Sequence, residues 1–473
     1  MHEKLKTLVR NTKEIFSDED IDKIARKTKF IKRIGKIDAS TFLAFNTLLS
    51  DDMCSKSLVT LCGRLAANYG ISISPQALNE RFNNHSVDFM RELFNNMILN
   101  QNDILKYHKE NLTFKRILLN DATGYSLPDK FSEEFKGSGG SSSKSAIKIQ
   151  LQYDLLSGKF LCCDFFSGTV NDYNYLNAMA VQTMPGDLRL ADLGYFKVDY
   201  FKEIDSKGAF YISKLKSTTS LYEKNKDEDI KLKKNGSIIK SSEFKKIDIF
   251  EIIKPLADGE TIELKNIYIG SKKELKSRLI ITKLSEENKS KRLKKQLNSL
   301  RTGRRKMNER NMAWTSVNVY ITNIPETIVK TTQIHDIYSL RWQIEIMFKV
   351  WKSIFNINDV KNVKIERFKC FLYGRLISLL LASKIVFAAK DIIYEEYKKE
   401  VSILKSYSLV NEYFKAIKVD IFKSELKKIS VLTEIISLIS RLGTKCKKKG
   451  RKTVIEIIKF LEITETEFEE MGN

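Results

Sequence analysis

Between Ile337 and Lys352 the chain reads IYSLRWQIEIMFKVWK. As one helix at about 100° per residue, Tyr338, Arg341, Glu345 and Lys352 fall within a stripe of about 60°. Ile337, Leu340, Ile344, Met347, Phe348 and Trp351 take another sector, as a packing face would. One face packs and another presents a phenol, a guanidinium, a carboxylate and an ammonium in line. Every amphipathic helix has a polar face, so periodicity alone leaves that plainer reading open. Two further carboxylates stand at the tips of apolar runs: Asp121 after FKRILL, and Asp192 at the end of LRLAD. Three carboxylates, two on strand ends and one on a late helix, could hold two divalent cations about 4 Å apart for in-line phosphoryl displacement. Mg²⁺ is the natural ion, being hard and partial to carboxylate and phosphate oxygens. Either Asp alone reads equally well as a turn or cap residue.

The elements that must carry these groups follow from pattern. The first hundred residues read as helices. Ser57–Asn68 has Leu58, Leu61, Leu65 and Ala66 at helical spacing, Gly70 breaks it, and Ser74-Pro75 caps and starts another helix through Phe82. Helix, Gly turn, helix is the layout of a helix-turn-helix, which would turn Gln76, Asn79, Glu80 and Arg81 toward DNA; an ordinary helical hairpin fits the same pattern. Near residue 112 the texture changes. Phe114–Leu119 reads as a strand ending in a polar loop, Ile147–Tyr153 and Lys159–Phe166 as a hairpin about Gly158, and Asn171–Met184 as a helix. Leu188–Leu193 and Ala209–Lys214 read as further strands, giving a mixed α/β sheet. Ile247–Ile253, Thr261–Ile269 and Leu279–Thr282 read as an antiparallel β insertion. A basic run follows, with eleven Lys/Arg and three Glu from Lys283 to Arg310. Val317–Ile324 is one more strand, and beyond residue 360 the chain is helical, with a second basic cluster from Lys445 to Lys452.

Composition narrows the function classes. The chain has 473 residues, room for two to four domains, and 42% hydrophobic residues, enough for substantial cores. Lys and Arg number 82 against 59 Asp and Glu, a formal net charge of +23. Such a surplus points to a polyanion, nucleic acid or an acidic membrane surface. Arg375 and Lys384 interrupt the most apolar stretch, well short of the roughly 20 residues a spanning helix needs, which argues against insertion. The opening residues lack an apolar signal core, so a cytoplasmic protein is expected. Six scattered cysteines without a C-x-x-C pair, and four histidines, argue against a disulfide framework or structural zinc.

Tyr338-x2-Arg341-x3-Glu345-x6-Lys352 resembles the Y-R-E-K signature of the bacterial insertion-sequence DDE transposases of insertion-sequence family four. Asp121 in NDATGY looks like their first catalytic Asp, Asp192 in LADLGYF like the second, and Glu345 like the third acid. The resemblance covers roughly residues 112–360. It implies an α/β, ribonuclease-H-like catalytic domain in two parts, 112–217 and 313–360, interrupted by a β-rich, basic insertion at 218–312. A helical N-terminal DNA-binding region, 1–111, and a helical C-terminal region, 361–473, expected to dimerise, would flank it. The implied reaction is Mg²⁺-dependent cut-and-paste excision and strand transfer, with two ions on Asp121, Asp192 and Glu345 and Mn²⁺ as a substitute. In similar enzymes excision passes through a hairpinned DNA end with a base flipped out.

Tyr338, Arg341 and Lys352 would then hold DNA phosphates near the scissile bond. Arg offers a bidentate fork, Lys a point charge and Tyr a hydroxyl. Trp314 is the candidate for stacking on the flipped base, with Trp342 behind it. The basic run at Lys291–Lys306 suits DNA backbone. The implied partners are transposon ends and target DNA, with a homodimer in the synaptic complex and the nucleoid as the setting. Two other readings stay open: a catalytically silent DNA-binding derivative of such an enzyme, and a ribonuclease-H-like nuclease without strand transfer.

Overall fold

The computed structural model of the protein describes residues 17–33, 35–48, 52–101, 112–140, 142–235, 237–300, 309–416, 425–446 and 452–462. Arg301, Arg304, Arg305 and Lys306 of the basic run, and Lys447, Lys448, Lys449 and Arg451 of the C-terminal cluster, lie outside them. The chain is a mixed α/β protein that divides into two units. One takes Met1–Glu110, Asp121–Val170 and Trp342–Arg451; the other takes Asn111–Asn120, Asn171–Arg341 and Lys452–Asn473. Among the described residues no helix is long and apolar enough to cross a membrane.

The first unit is built round one helix, Ile365–Tyr397, whose 33 residues are largely buried. Five shorter helices precede it: Asp18–Lys27, Ala39–Thr47, Leu58–Tyr69, Pro75–Arg81 and Asn84–Leu99. Each starts where a Ser, Asp or Asn can cap it. Ser17, Asp38, Ser57, Ser74 and Asn83 all accept from a main-chain N–H of the first turn. Leu58–Tyr69 stops at Gly70, which takes the left-handed conformation (φ 67°) of a helix C-terminus. The long helix is polar where it meets these elements' ends. Arg367 donates to Met53 O and Lys56 O, Ser378 Oγ to Thr47 O at 2.6 Å, and Lys364 Nζ to Phe82 O at 2.7 Å. Gly374 lets two helices cross closely: a Cβ there would stand 2.0 Å from Asn46 O.

The same unit holds the hairpin β2 (Ser145–Asp154) and β3 (Phe160–Ser167), antiparallel with Ile149 opposite Phe165. β1 (Arg116–Leu127) is longer than the sequence suggests. The polar NDATG segment reads as a loop, yet the strand continues through it to Leu127, with β2 as a neighbour of β1 in the sheet. Asp121 therefore sits inside a strand rather than at its tip.

In the second unit the first residues of β1 begin a sheet ordered β1, β4 (Asp187–Ala191), β5 (Phe210–Lys214), β10 (Val317–Thr322), β9 (Leu275–Lys283), β8 (Thr261–Ile269), β6 (Leu221–Lys224) and β7 (Phe244–Ile247). β1, β4 and β5 are parallel, with the helix Val198–Ser206 connecting the last two; the other pairings are antiparallel. β4 is wholly buried although two of its five residues are charged. Asp187 is clamped by Arg116 through two bonds, 2.7 and 2.5 Å, and Arg189 donates to Met179 O and Tyr200 Oη. Both buried charged side chains thus meet polar partners, which offsets part of the cost of burying them.

Two local expectations change. Ile247–Ile253 looks strand-like from its β-branched residues, but only Phe244–Ile247 is a strand. Asp248 accepts from Phe250 N and starts the helix Ile249–Ile253. Asn171–Met184 resolves into a 3₁₀ turn, Asp172–Tyr175, and a short helix, Leu176–Val181.

Candidate active site

The polar stripe read as one helix is two helices. Ile334–Ser339 ends before the signature's Arg, and Trp342–Ser353 begins after it. The N–H groups of Leu340 and Arg341 reach back only three residues, to Ile337 O and Tyr338 O, which tightens the chain out of α geometry without Gly or Pro. Tyr338 and Arg341 thus belong to the second unit with Asp192, and Glu345 and Lys352 to the first with Asp121.

In the second unit, Asp192 follows the last residue of β4 and is half-buried. Its side chain makes no capping bond to the short turn Leu193–Tyr195 that it precedes. Tyr338 stands behind it, 5% exposed. The Tyr338 hydroxyl donates to Ala191 O at 3.3 Å, and Arg341 is hydrogen-bonded to the same side chain. Burial pushes the Tyr338 phenol well up, the Asp192 carboxylate adds to this, and the Arg341 guanidinium opposes it. The ring lies 5.0 Å from that of Tyr320 and 5.7 Å from the Lys214 ammonium. Tyr320 Oη is bonded to His335 Nδ1 at 2.7 Å. Burial, with Lys214 and Arg292 adding to it and Asp336 opposing, lowers the His335 pKa, so a neutral imidazole faces that phenol.

Beside Leu193 opens a pocket of about 250 Å³, lined among others by Lys214, Arg292, Trp314 and Asn318. Arg292 is fixed by donating to Val317 O at 3.0 Å and Asn318 Oδ1 at 2.5 Å. It comes from the helix Glu286–Leu300, which lies within the basic run. Trp314 is half-buried at the pocket wall.

In the first unit, Asp121 is half-buried on β1, and its Oδ1 accepts from Ala122 N at 2.8 Å. Glu345 lies half-buried in the first turn of Trp342–Ser353, whose Ile344, Met347, Phe348, Val350 and Trp351 are packed inward. Lys352 Nζ donates to Gly124 O at 2.9 Å, and partial burial lowers its pKa. Trp342, by contrast, is 58% exposed. Asp121, Asp192 and Glu345 each offer hard carboxylate oxygens, the donor chemistry Mg²⁺ prefers. Among the described residues no three carboxylate, His or Cys side chains stand close enough to share a metal ion.

Lys214, Arg292, Asn318, Tyr320 and His335 carry no sequence signal comparable with the signature. Their neighbours come from β5, β10 and the basic helix, which only strand pairing brings together. The one local hint is that His335 and Tyr338 are three residues apart on one helix.

The family model described as the transposase DDE domain matches residues 112–381. The transposase for insertion sequence element IS1151 of Clostridium perfringens is 49% identical over 465 residues, covering 98% of each chain. That for IS231F of Bacillus thuringiensis subsp. israelensis is 36% identical over 461 residues, 97% of this chain and 96% of the other. Among solved structures, the piggyBac transposase synaptic complex with hairpin DNA covers 95% of this chain and 87% of its own, at a TM-score of 0.47 and 11% identity, too distant to bear on mechanism.

Proposed function

The chain belongs to the insertion-sequence DDE transposases, and on that premise we propose that it binds the terminal inverted repeats of its own element, cuts them out in a Mg²⁺-dependent reaction and joins them to target DNA. The observation that carries this reading is Asp192, set at the end of a fully buried strand beside the Tyr338–Arg341 pair. The parallel strands β1, β4 and β5 serve as a ribonuclease-H-like core, with residues 218–312 as a β-rich insertion.

Asp121, Asp192 and Glu345 are the carboxylates that would hold the divalent ions. Bound there, Mg²⁺ would supply the charge that in-line displacement at a phosphate requires. Arg341 and Lys352 meet phosphates flanking the scissile bond, and Tyr338 stands with Arg341 on its hydroxyl. Water first attacks the phosphate at the element boundary, releasing a 3′-OH, which then attacks the opposite strand to leave a hairpin. The hairpin is opened by water, and the regenerated 3′-OH attacks target DNA. Trp314 supports the reading of a flipped base, since it lines a pocket with room for one and with Lys214 and Arg292 nearby. The basic helix Glu286–Leu300 follows DNA backbone, and two copies pair the two ends.

The test is cleavage of a labelled duplex carrying the element's end, with and without Mg²⁺, on a denaturing gel. Nicking at the boundary in Mg²⁺ only, followed by a hairpin product, is the expected result. Binding without cleavage in Mg²⁺ and Mn²⁺ would leave a silent DNA-binding protein, and nicking without joining to target would leave a nuclease.

A further inference from the structure

A tyrosine hydroxyl has one proton to donate and two lone pairs to accept with. That of Tyr338 spends its proton on Ala191 O, and Arg341 bonds to the same group. Ala191 ends β4, and its carbonyl belongs to the peptide that leads into Asp192. The ring is held from two directions by Tyr320 and by the Lys214 ammonium. Tyr320 is in turn anchored by its bond to His335, one turn before Tyr338 on the same helix. A phenol only 5% exposed, with its hydroxyl turned to the main chain, is placed to act through the backbone.

We propose that Tyr338 is a positioning residue for Asp192, backed by Tyr320 and His335, and that its hydroxyl links Arg341 to the 191–192 peptide. The proposal rests on the reading of Asp192 as a carboxylate that holds a divalent ion. Ala191 is also paired with Ser213 of β5, so β4 keeps its place without the hydroxyl; what loosens is the direction in which the chain leaves the strand. A phosphate seated on Arg341 would be felt at Asp192 through one shared oxygen. The arrangement makes the fit of the acid depend on the group that grips DNA.

The test uses Tyr338→Phe and Tyr320→Phe in the full chain. Each keeps its ring and removes one hydroxyl. Three quantities are measured: Mn²⁺ binding without DNA by electron paramagnetic resonance, the Mg²⁺ concentration for half-maximal nicking, and affinity for the element's end. In Tyr338→Phe the Mn²⁺ dissociation constant and the Mg²⁺ midpoint both rise roughly ten-fold while end affinity holds, the size of loss typical when a group supporting a metal ligand is removed. Tyr320→Phe shifts both the same way by less, and it carries the test alone if Tyr338→Phe does not fold. Weakened end affinity with an unchanged metal requirement would make Tyr338 a phosphate contact and overturn the proposal. No change in any of the three overturns it as well. Asp192→Asn is run alongside: nicking that survives it would sink the underlying reading of Asp192, a different failure from an unmoved Tyr338→Phe.

Discussion

Lys352 and Gly124 are joined by a 2.9 Å hydrogen bond from ammonium to carbonyl. Gly124 lies three residues past Asp121 on β1, and Lys352 is in the last turn of the helix whose first turn holds Glu345. One bond therefore ties the strand that carries Asp121 to the helix that carries Glu345. Lys352→Met, which keeps the stem and deletes the donor, should slow single-turnover nicking roughly ten-fold or more, with Lys352→Arg recovering part of it. Equal rates for Met and wild type would show the bond to be incidental.

Glu345→Gln removes one charge and almost no volume. Nicking should fall at least about 100-fold, beyond the usual cost of losing an outer-shell partner, while end binding in a gel-shift assay persists. A mutant that still cuts would move the third acid elsewhere.

Trp314→Ala opens one wall of the pocket beside Leu193. Stacking on an aromatic is worth about 1–3 kcal/mol per base, so hairpin formation should slow by about ten-fold or more while first-strand nicking continues. Following 2-aminopurine at the terminal positions of the end would report the unstacking directly. Loss of both steps together would instead make Trp314 a packing residue.

Glu263 and Arg278 form an ion pair of side chains 8% and 10% exposed, with Thr331 bonded to the same carboxylate. Breaking one side of such a pair costs about 3–5 kcal/mol, so Glu263→Gln should lower the urea midpoint at pH 7. The Arg278 guanidinium, then Thr331, hold the Glu263 carboxyl below its usual value against the cost of burial. A depressed carboxyl contributes stability above its unfolded-state pKa of about 4.3 and loses it as pH falls through the folded value. The gap between wild type and mutant should therefore be widest near neutrality and close on acidification. A gap independent of pH would mean that packing, not charge, is lost.

Gly374→Ala forces a methyl group against Asn46 O, where it would stand 2.0 Å away. Overpacking of this kind costs about 1–3 kcal/mol, visible as a lower melting temperature. Gly63→Ala, with nothing within 4 Å of the new methyl, should leave melting unharmed.

Much of this fold is legible in the residues themselves, and the exceptions have identifiable causes. The hairpin of β2 and β3 follows from alternation about a Gly turn, and the helix starts at Ser57 and Ser74 from capping chemistry. The run to Asp192 reads as a strand from its alternating leucines, Leu188 and Leu190, although it also carries Asp187 and Arg189. The break between Ser339 and Trp342 could not be read, since no Pro or Gly marks it and the apolar period runs on unbroken. Asp121 reads as a strand tip because polar residues at 120–124 mimic a loop when the pairing strand is unknown, whereas β1 runs on to Leu127. The Tyr320–His335 bond and the fixing of Arg292 by Asn318 depend on contacts between residues distant in sequence, which composition and period do not encode.

The charges buried in β4 have one more consequence. Asp187 meets Arg116 opposite it on β1, and Arg189, two residues on, faces an entirely different set of acceptors. A slip of the strand by two residues would keep every side chain on its own face, and for a plain apolar strand it would be nearly silent. Here it would drive a guanidinium into the place of a carboxylate. The pair works as an index mark: it lets the chain be counted, so that the fifth residue past Asp187 arrives at one position only. That residue is Asp192.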